Sequence, residues 1–321
     1  MKLYPLLFTP IIKARIWGGT ALSKAFGKPD IGEAAGESWE ISGVDGDVSI
    51  LANGPMAGKD LNELIQDFGK DLMGASVIEK FGNEFPILIK FIDAQRDLSI
   101  QVHPDDSLAK ERHNAKGKTE MWYIMQAEPD ARLLLGFNKH YTPAQYEEHL
   151  KHKTLLDILH QEPVEKGRAY FIKAGTVHAI GAGIVLAEIQ QTSDITYRVY
   201  DFDRVDSEGN TRELHTELAL EAIDFEPASD ARLAYEKRQN QSSPLVDSPY
   251  FKTNILPVDG SVTLELSSRD SFTILMAVEG AVSIEHESYP VKLAAGSTCL
   301  IPAGLANIRL EGKGELLEIT L

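Results

Sequence analysis

Strand-length apolar runs closed by Gly, Pro or Asp dominate the chain, and only three stretches switch to helical periodicity. In DLNELIQDFGKDL, residues Leu61, Leu64, Ile65 and Phe68 recur at helical spacing, predicting a helix over Asp60–Leu72. TPAQYEEHLKHKTLLDILHQ opens with Thr142 as N-cap and Pro143 at the first helical position. Tyr146, Leu150, Leu155, Ile158 and Leu159 follow, so a helical insertion near 142–161 is expected. A third short helix is expected over Leu214–Phe225. The polar stretch QNQSSPLVDSP, Gln239–Pro249, reads as a linker or long loop. After it come short strands at close intervals, as in a sandwich or jelly roll. The division expected is 1–238 with the helical insertion, then a strand-rich unit over 239–321.

An internal echo links the two parts. FIKAGTVHAI, Phe171–Ile180, aligns without gaps to LIPAGLANIR, Leu300–Arg309, matching Ile172 to Ile301, Ala174 to Ala303 and Gly175 to Gly304. Two β-domains of one kind are implied. His178 faces Asn307 in this alignment, so a ligand held at His178 is not expected in the C-terminal copy.

Composition then narrows the function. In 321 residues, 32 Lys and Arg against 48 Asp and Glu give a net charge of −16, which disfavours general affinity for nucleic acid or anionic membrane. If the ligand is an anion, local cations must overcome that field. Cys299 is the only cysteine, so no intramolecular disulfide is possible and a reducing cytoplasm fits. The N-terminal apolar stretches are broken by Pro5, Pro10 and Lys13, unlike a signal peptide, and Phe85–Ile92 is too short for a membrane helix. A soluble protein is expected. No phosphate-cradling Gly-Lys loop or dinucleotide fingerprint is found, and nothing specifies an oligomer.

The candidate chemistry lies in LSIQVHP, where alternation sets Leu98, Ile100 and Val102 on one face and Ser99, Gln101 and His103 on the other. Glu120 opens the strand EMWYIM, and His178 lies in the turn AGTVHAIGAG. Two imidazoles, a carboxylate and an amide oxygen make a mixed N/O set suited to Zn²⁺ or a neighbouring divalent metal, with room for substrate. Against this, a histidine is more often a surface or satisfied residue, and the spacings match no compact metal signature. His149, His152 and His160 are read as solvated.

FPILIKFIDAQRDLSIQVHPDD, GKTEMWYI, AGTVHAIGAGIVLAEIQQTSDITYRVYDFDR, IWGG and GESWEIS together resemble the type I mannose-6-phosphate isomerases in their short bacterial form. The likeness runs from Trp17 to Arg204 and weakly through the C-terminal part. It implies a mostly β protein of two cupin-like jelly-roll domains with a small helical insertion, the second domain metal-free. It also implies a zinc-dependent aldose–ketose isomerase acting on a sugar phosphate through an enediol. One zinc per chain would be held by Gln101, His103, Glu120 and His178, although N/O ligands also accept other divalent metals.

By the same resemblance Arg198 matches the family's catalytic arginine, Lys118 its active-site lysine, and Glu188 a pocket carboxylate. Glu188 is a candidate proton shuttle, with a metal-bound hydroxide as the alternative base. Residue chemistry alone favours blander readings: an ion pair of Arg198 with Asp194, Asp201 or Asp203, and Lys118 as one more cation of the loop KERHNAKGK. Trp17 and Trp39 belong to family blocks and either line a sugar pocket or are simply core. Two departures are Lys173, where cupins often have Pro, and Phe202, where many relatives have Trp. Other readings of the same fold are a non-catalytic sugar-binding cupin, a redox-metal dioxygenase and a glucose-6-phosphate isomerase.

Overall fold

The computed structural model describes residues 2–205, 208–228 and 230–321. Its apolar runs build three larger antiparallel sheets. A six-stranded sheet has the order Ala169–Ile172, Glu120–Ala127, Ile184–Gln191, Ile87–Ala94, Ala35–Ile41, Ile11–Gly19. A five-stranded sheet has the order Leu159–Pro163, Arg132–Phe137, His178–Ile180, Ile100–Val102, Tyr197–Tyr200. The protein is mostly β, with cupin-like jelly rolls as expected.

Period-2 alternation explains how these sheets stack. The strand Ile87–Ala94 is buried at every position, so both its faces must be covered. Ile92 and Ala94 point into the core shared with Leu133, Leu135 and Ile180 of the five-stranded sheet. Ile87, Ile89 and Phe91 point the other way, into a core containing Phe251, Phe272 and Leu317 of the C-terminal part. The third sheet, from Ser243–Asp247 to Asn307–Thr320, therefore lies on the outer face of the six-stranded one, with Phe85 stacked on Phe272 at 5.0 Å. Its own interior is a separate apolar cluster around Leu256, Leu275 and the buried Cys299.

Helices cover the remaining faces, with boundaries that differ from the periodicity. The expected Asp60–Leu72 helix is two pieces, Leu61–Phe68 and Lys70–Met73, because Gly69 between them takes φ 45°. Its start at Asp60 is a complete capping box with Glu63. The insertion begins as Thr142 and Pro143 predict, with Thr142 and Gln145 reciprocally bonded, but the helix ends at Lys151. Residues 159–161 instead join the strand Leu159–Pro163, placing His160 on an exposed edge. His149 is half-buried rather than solvated, bonded to Thr154 at 2.8 Å. The third helix is Thr216–Ala222.

Three further helices have weak apolar stripes: Ala21–Phe26, Ala75–Phe81 and Asp106–His113. The last occupies part of the segment read as a basic loop, started by the Asp105 carboxylate accepting from Leu108 N at 2.8 Å. The expected linker is also shorter, since Ser243–Asp247 is an edge strand, where Pro244 is tolerated.

The echo occupies equivalent places. Ile172 and Ile301 each end a strand, and His178 and Asn307 each begin the next. Its glycines serve different ends. Gly175 has φ 87° and its N–H donates to His103 O at 2.9 Å, whereas Gly304 permits a close approach to Asp71. Lys173 at the cupin proline position extends to an exposed pair with Asp230 at 2.6 Å.

Candidate metal centre and substrate pocket

Two rows of register neighbours face each other between the stacked sheets. On the five-stranded sheet, Gln101 pairs with His178 on one side and Arg198 on the other. On the six-stranded sheet, Glu188 pairs with Trp122 and Lys90, and Lys90 with Trp39, while Glu120 lies opposite Gln190. Alternation places Gln101 and His103 together as expected, with Ile100 and Val102 packed on the opposite face. Leu98 departs from that pattern: it precedes the strand and joins the inter-sheet core.

His103, Glu120 and His178 are fully buried, and their candidate ligand atoms lie within 4.8 Å of one another. Gln101 adjoins them, its amide 3.3 Å from His178 Nε2. His103 Nδ1 is 2.8 Å from Ile195 O and His178 Nδ1 is 2.8 Å from Thr176 O. A carbonyl can only accept, so both protons sit on Nδ1 and both Nε2 lone pairs face the cluster. Burial and nearby Lys118 lower the proton affinity of His103 well below the usual histidine range. Burial also lowers His178, to about 4. The imidazoles are thus neutral, as metal ligation requires.

The carboxylate fits as well. Glu120 Oε1 is buried, accepts no hydrogen bond and lies 3.3 Å from His178 Nε2. Burial raises Glu120 to about 7 against the pull of Lys118. The Lys118 ammonium is drawn into the same set, 2.6 Å from Glu120 Oε2 and 3.0 Å from His103 Nε2. It is buried, and its carboxylate neighbours raise its affinity for a proton despite the cost of desolvation. A half-turn of the Gln101 amide exchanges its N and O, so an oxygen, a carboxylate and two imidazoles can converge on one divalent cation. The donors fit zinc.

Beside this cluster, bordered by Gln101 and Lys118, is a pocket of about 490 Å³ lined by five basic and three acidic side chains, a local excess of positive charge in a chain of net charge −16. A larger cavity of about 980 Å³, beside Asp60, Glu84 and Lys116, lies away from the ligand atoms. Glu188 is buried in the smaller pocket, 3.1 Å from Lys90 Nζ and 3.0 Å from Trp122 Nε1. Desolvation opposes its charge, yet Lys90 and Lys118 prevail and hold it down at about 2. Trp17 and Trp39 both line this pocket and are both buried.

Arg198 is not tied up as an ion pair with the aspartates: Asp201 takes Arg204 and Arg212, and Asp203 takes Lys153. Arg198 Nη1 donates to Glu213 O at 2.8 Å, and its buried Nε has no partner.

Four charged pocket residues escape motif reasoning: Lys90, Arg15, Glu37 and Arg212. Lys90 left a signal, a lone cation inside a run otherwise apolar enough to be buried on both faces. Glu37 and Arg212 left none, since charged residues in polar surroundings are ordinary.

Comparison with known proteins shows the family. Residues 6–135 match the family model of the phosphomannose isomerase type I catalytic domain, and residues 242–321 that of the mannose-6-phosphate isomerase cupin domain. The chain is similar to mannose-6-phosphate isomerase ManA of Bacillus subtilis (strain 168), 34% identical over 99% of both chains. It also superposes on the crystal structure of mannose 6-phosphate isomerase from Bacillus subtilis, with TM-score 0.89, 31% identity, and 99% and 100% of the chains covered. A mannose 6-phosphate isomerase crystallised with zinc and yttrium shares the fold at TM-score 0.78 and 17% identity, with 99% of both chains covered.

Proposed function

The chain belongs to the type I phosphomannose isomerase family and is an isomerase, and we propose that it interconverts mannose 6-phosphate and fructose 6-phosphate in the pocket described. The observation that carries this is the buried set Gln101, His103, Glu120 and His178, with neutral imidazoles and an unpartnered carboxylate oxygen, opening on a net-positive pocket. We assign these four residues to one divalent metal, zinc by donor type and by the zinc-bound relative. Bound there, zinc supplies Lewis-acid polarisation of substrate oxygens without redox chemistry.

The reaction moves a proton between C2 and C1 of the open-chain sugar through an enediol. Arg198 lies one strand from Gln101 with an unpartnered buried N–H, and its fixed positive charge suits a developing oxyanion. Lys118, buried and charged beside Glu120, adds a second cation. Glu188 is the carboxylate we assign to proton transfer. Held ionised by Lys90 and Lys118, it stands in its basic form, without a proton of its own, so in this reading it first accepts the proton from one carbon and then returns it to the other.

Residues 1–238 form the catalytic unit in this reading and 239–321 a metal-free partner, because Asn307 stands where His178 stands in the first copy. A phosphorylated sugar substrate and a single buried thiol support a cytoplasmic location in this reading. No helix among the described residues is long and apolar enough to cross a membrane.

The test is direct. Purified protein is supplied with mannose 6-phosphate and fructose 6-phosphate is measured with time; turnover in both directions supports the assignment. No turnover by zinc-loaded protein overturns it.

A further inference from the structure

The substrate proposed above is a dianion at its phosphoryl end, and the chain carries a net charge of −16, so the pocket must supply committed cations. Most of its basic groups are already engaged. Lys90 is paired with Glu188 at 3.1 Å and Lys118 with Glu120 at 2.6 Å, both buried. Arg15, on the edge strand Ile11–Gly19, is gripped side-on by Glu37 through Nε and Nη2 at 3.3 and 3.0 Å, and its Nη1 is spent on Ala14 O at 3.2 Å. Arg198 faces the metal-ligand row and spends Nη1 on Glu213 O.

Arg212 is placed differently. Asp201, buried at the end of the edge strand Tyr197–Tyr200, accepts from its Nε at 2.7 Å and also from Nη2. That grip fixes the plane of the guanidinium and leaves the Nη1 edge for a ligand, the geometry that suits a phosphate oxygen. Asp201 also holds Arg204, whose remaining donors go to the Asp201 and Asp97 carbonyls. Arg204 and Arg212 therefore share the one Asp201 carboxylate, with Arg198 close enough to feel their charge. The proton affinity of Arg198 is lowered first by burial and next by Arg212 itself.

Placement agrees with the length of the substrate. His178, Gln101 and Arg198 stand in one row across adjacent strands, about 4.8 Å apart. The segment carrying Arg212 continues beyond that edge strand, with His215 N donating to Arg198 O at 2.7 Å. A sugar whose C1–C2 end lies at the ligands extends its C6 end toward Arg212.

We propose that Arg212, positioned by Asp201, is the specificity-determining residue that binds the substrate's phosphoryl group. This rests on the isomerase reading above, and the test separates the two. Arg212→Gln and Arg212→Lys are compared with the parent protein for kcat and KM with mannose 6-phosphate and for calorimetric affinity toward inorganic phosphate, with metal content and circular dichroism as folding controls. For Arg212→Gln, KM and the phosphate dissociation constant rise about 30-fold or more while kcat changes less than about threefold; Arg212→Lys, which keeps the charge but not the fork, recovers part of the loss. KM and phosphate affinity within about twofold of the parent overturn the proposal, as does a fall in kcat with KM unmoved. If no sugar phosphate is turned over, the isomerase reading fails, and phosphate affinity alone decides on Arg212: loss in the Gln variant supports it and retention overturns it.

Discussion

Replacing Glu188 by Gln removes one charge from the pocket floor while keeping the shape and hydrogen-bonding capacity of the side chain. Glu188 is 3% exposed, touches Lys90 and Trp122, and is held at about 2 against an ordinary 4.5. That depression, at about 1.4 kcal/mol for each tenfold change in proton affinity, is on the order of 3 kcal/mol of folding free energy at neutral pH. Leaving a buried partner unpaired costs about 3–5 kcal/mol by mutational precedent, so two routes agree. Because the folded-state value lies below the unfolded one, this stability is present above pH 4.5 and is lost as pH falls toward 2. Urea unfolding, followed by the fluorescence of Trp17, Trp39 and Trp122, should therefore show Glu188→Gln weaker than the parent by about 3 kcal/mol at pH 7 and by about half that at pH 3. A gap under about 1 kcal/mol at pH 7, or one unchanged at pH 3, would refute the account of this ion pair.

Other perturbations probe other links. Phe272→Ala empties a fully buried ring site between the C-terminal unit and the six-stranded sheet and should cost about 3–5 kcal/mol in the same unfolding assay; a loss below about 1 kcal/mol would mean the shared core is not the main tie. Gly175→Ala forces a side chain onto φ 87° with Ala222 O 3.1 Å from the new Cβ, and should destabilise by about 1–3 kcal/mol and weaken zinc affinity through the His103 and His178 turn, read by competitive dialysis. Arg198→Lys keeps charge but loses the planar fork, and kcat should fall about 100-fold with unfolding little changed; undiminished kcat would remove Arg198 from the chemistry.

How much of this was legible in the sequence differs by physical origin. Alternation alone put Gln101 and His103 on one face, because the side-chain period of a strand is local and strict. That His178 joins them depends on strand pairing and that Glu120 does on two sheets stacking face to face, long-range facts for which ligand chemistry named the candidates and the family resemblance gave the support. Helix starts were legible where caps carry them, as at Asp60 and Thr142, whereas helix ends drifted because Gly69 and the strand Leu159–Pro163 act through φ and pairing. The helix Asp106–His113 was invisible because its buried face is little more than Ala109. Arg212 was hidden for another reason: its meaning comes from Asp201, eleven residues away in sequence, folding it against the pocket.

Metal content and turnover measured together test the central claim most directly. Protein stripped by chelation is titrated with zinc while mannose 6-phosphate conversion is followed, alongside His103→Ala. The account predicts no activity without metal, a linear rise ending at one zinc per chain, and neither tight zinc nor turnover in the variant. Full turnover by stripped protein, or an active variant that still binds one zinc, would contradict it.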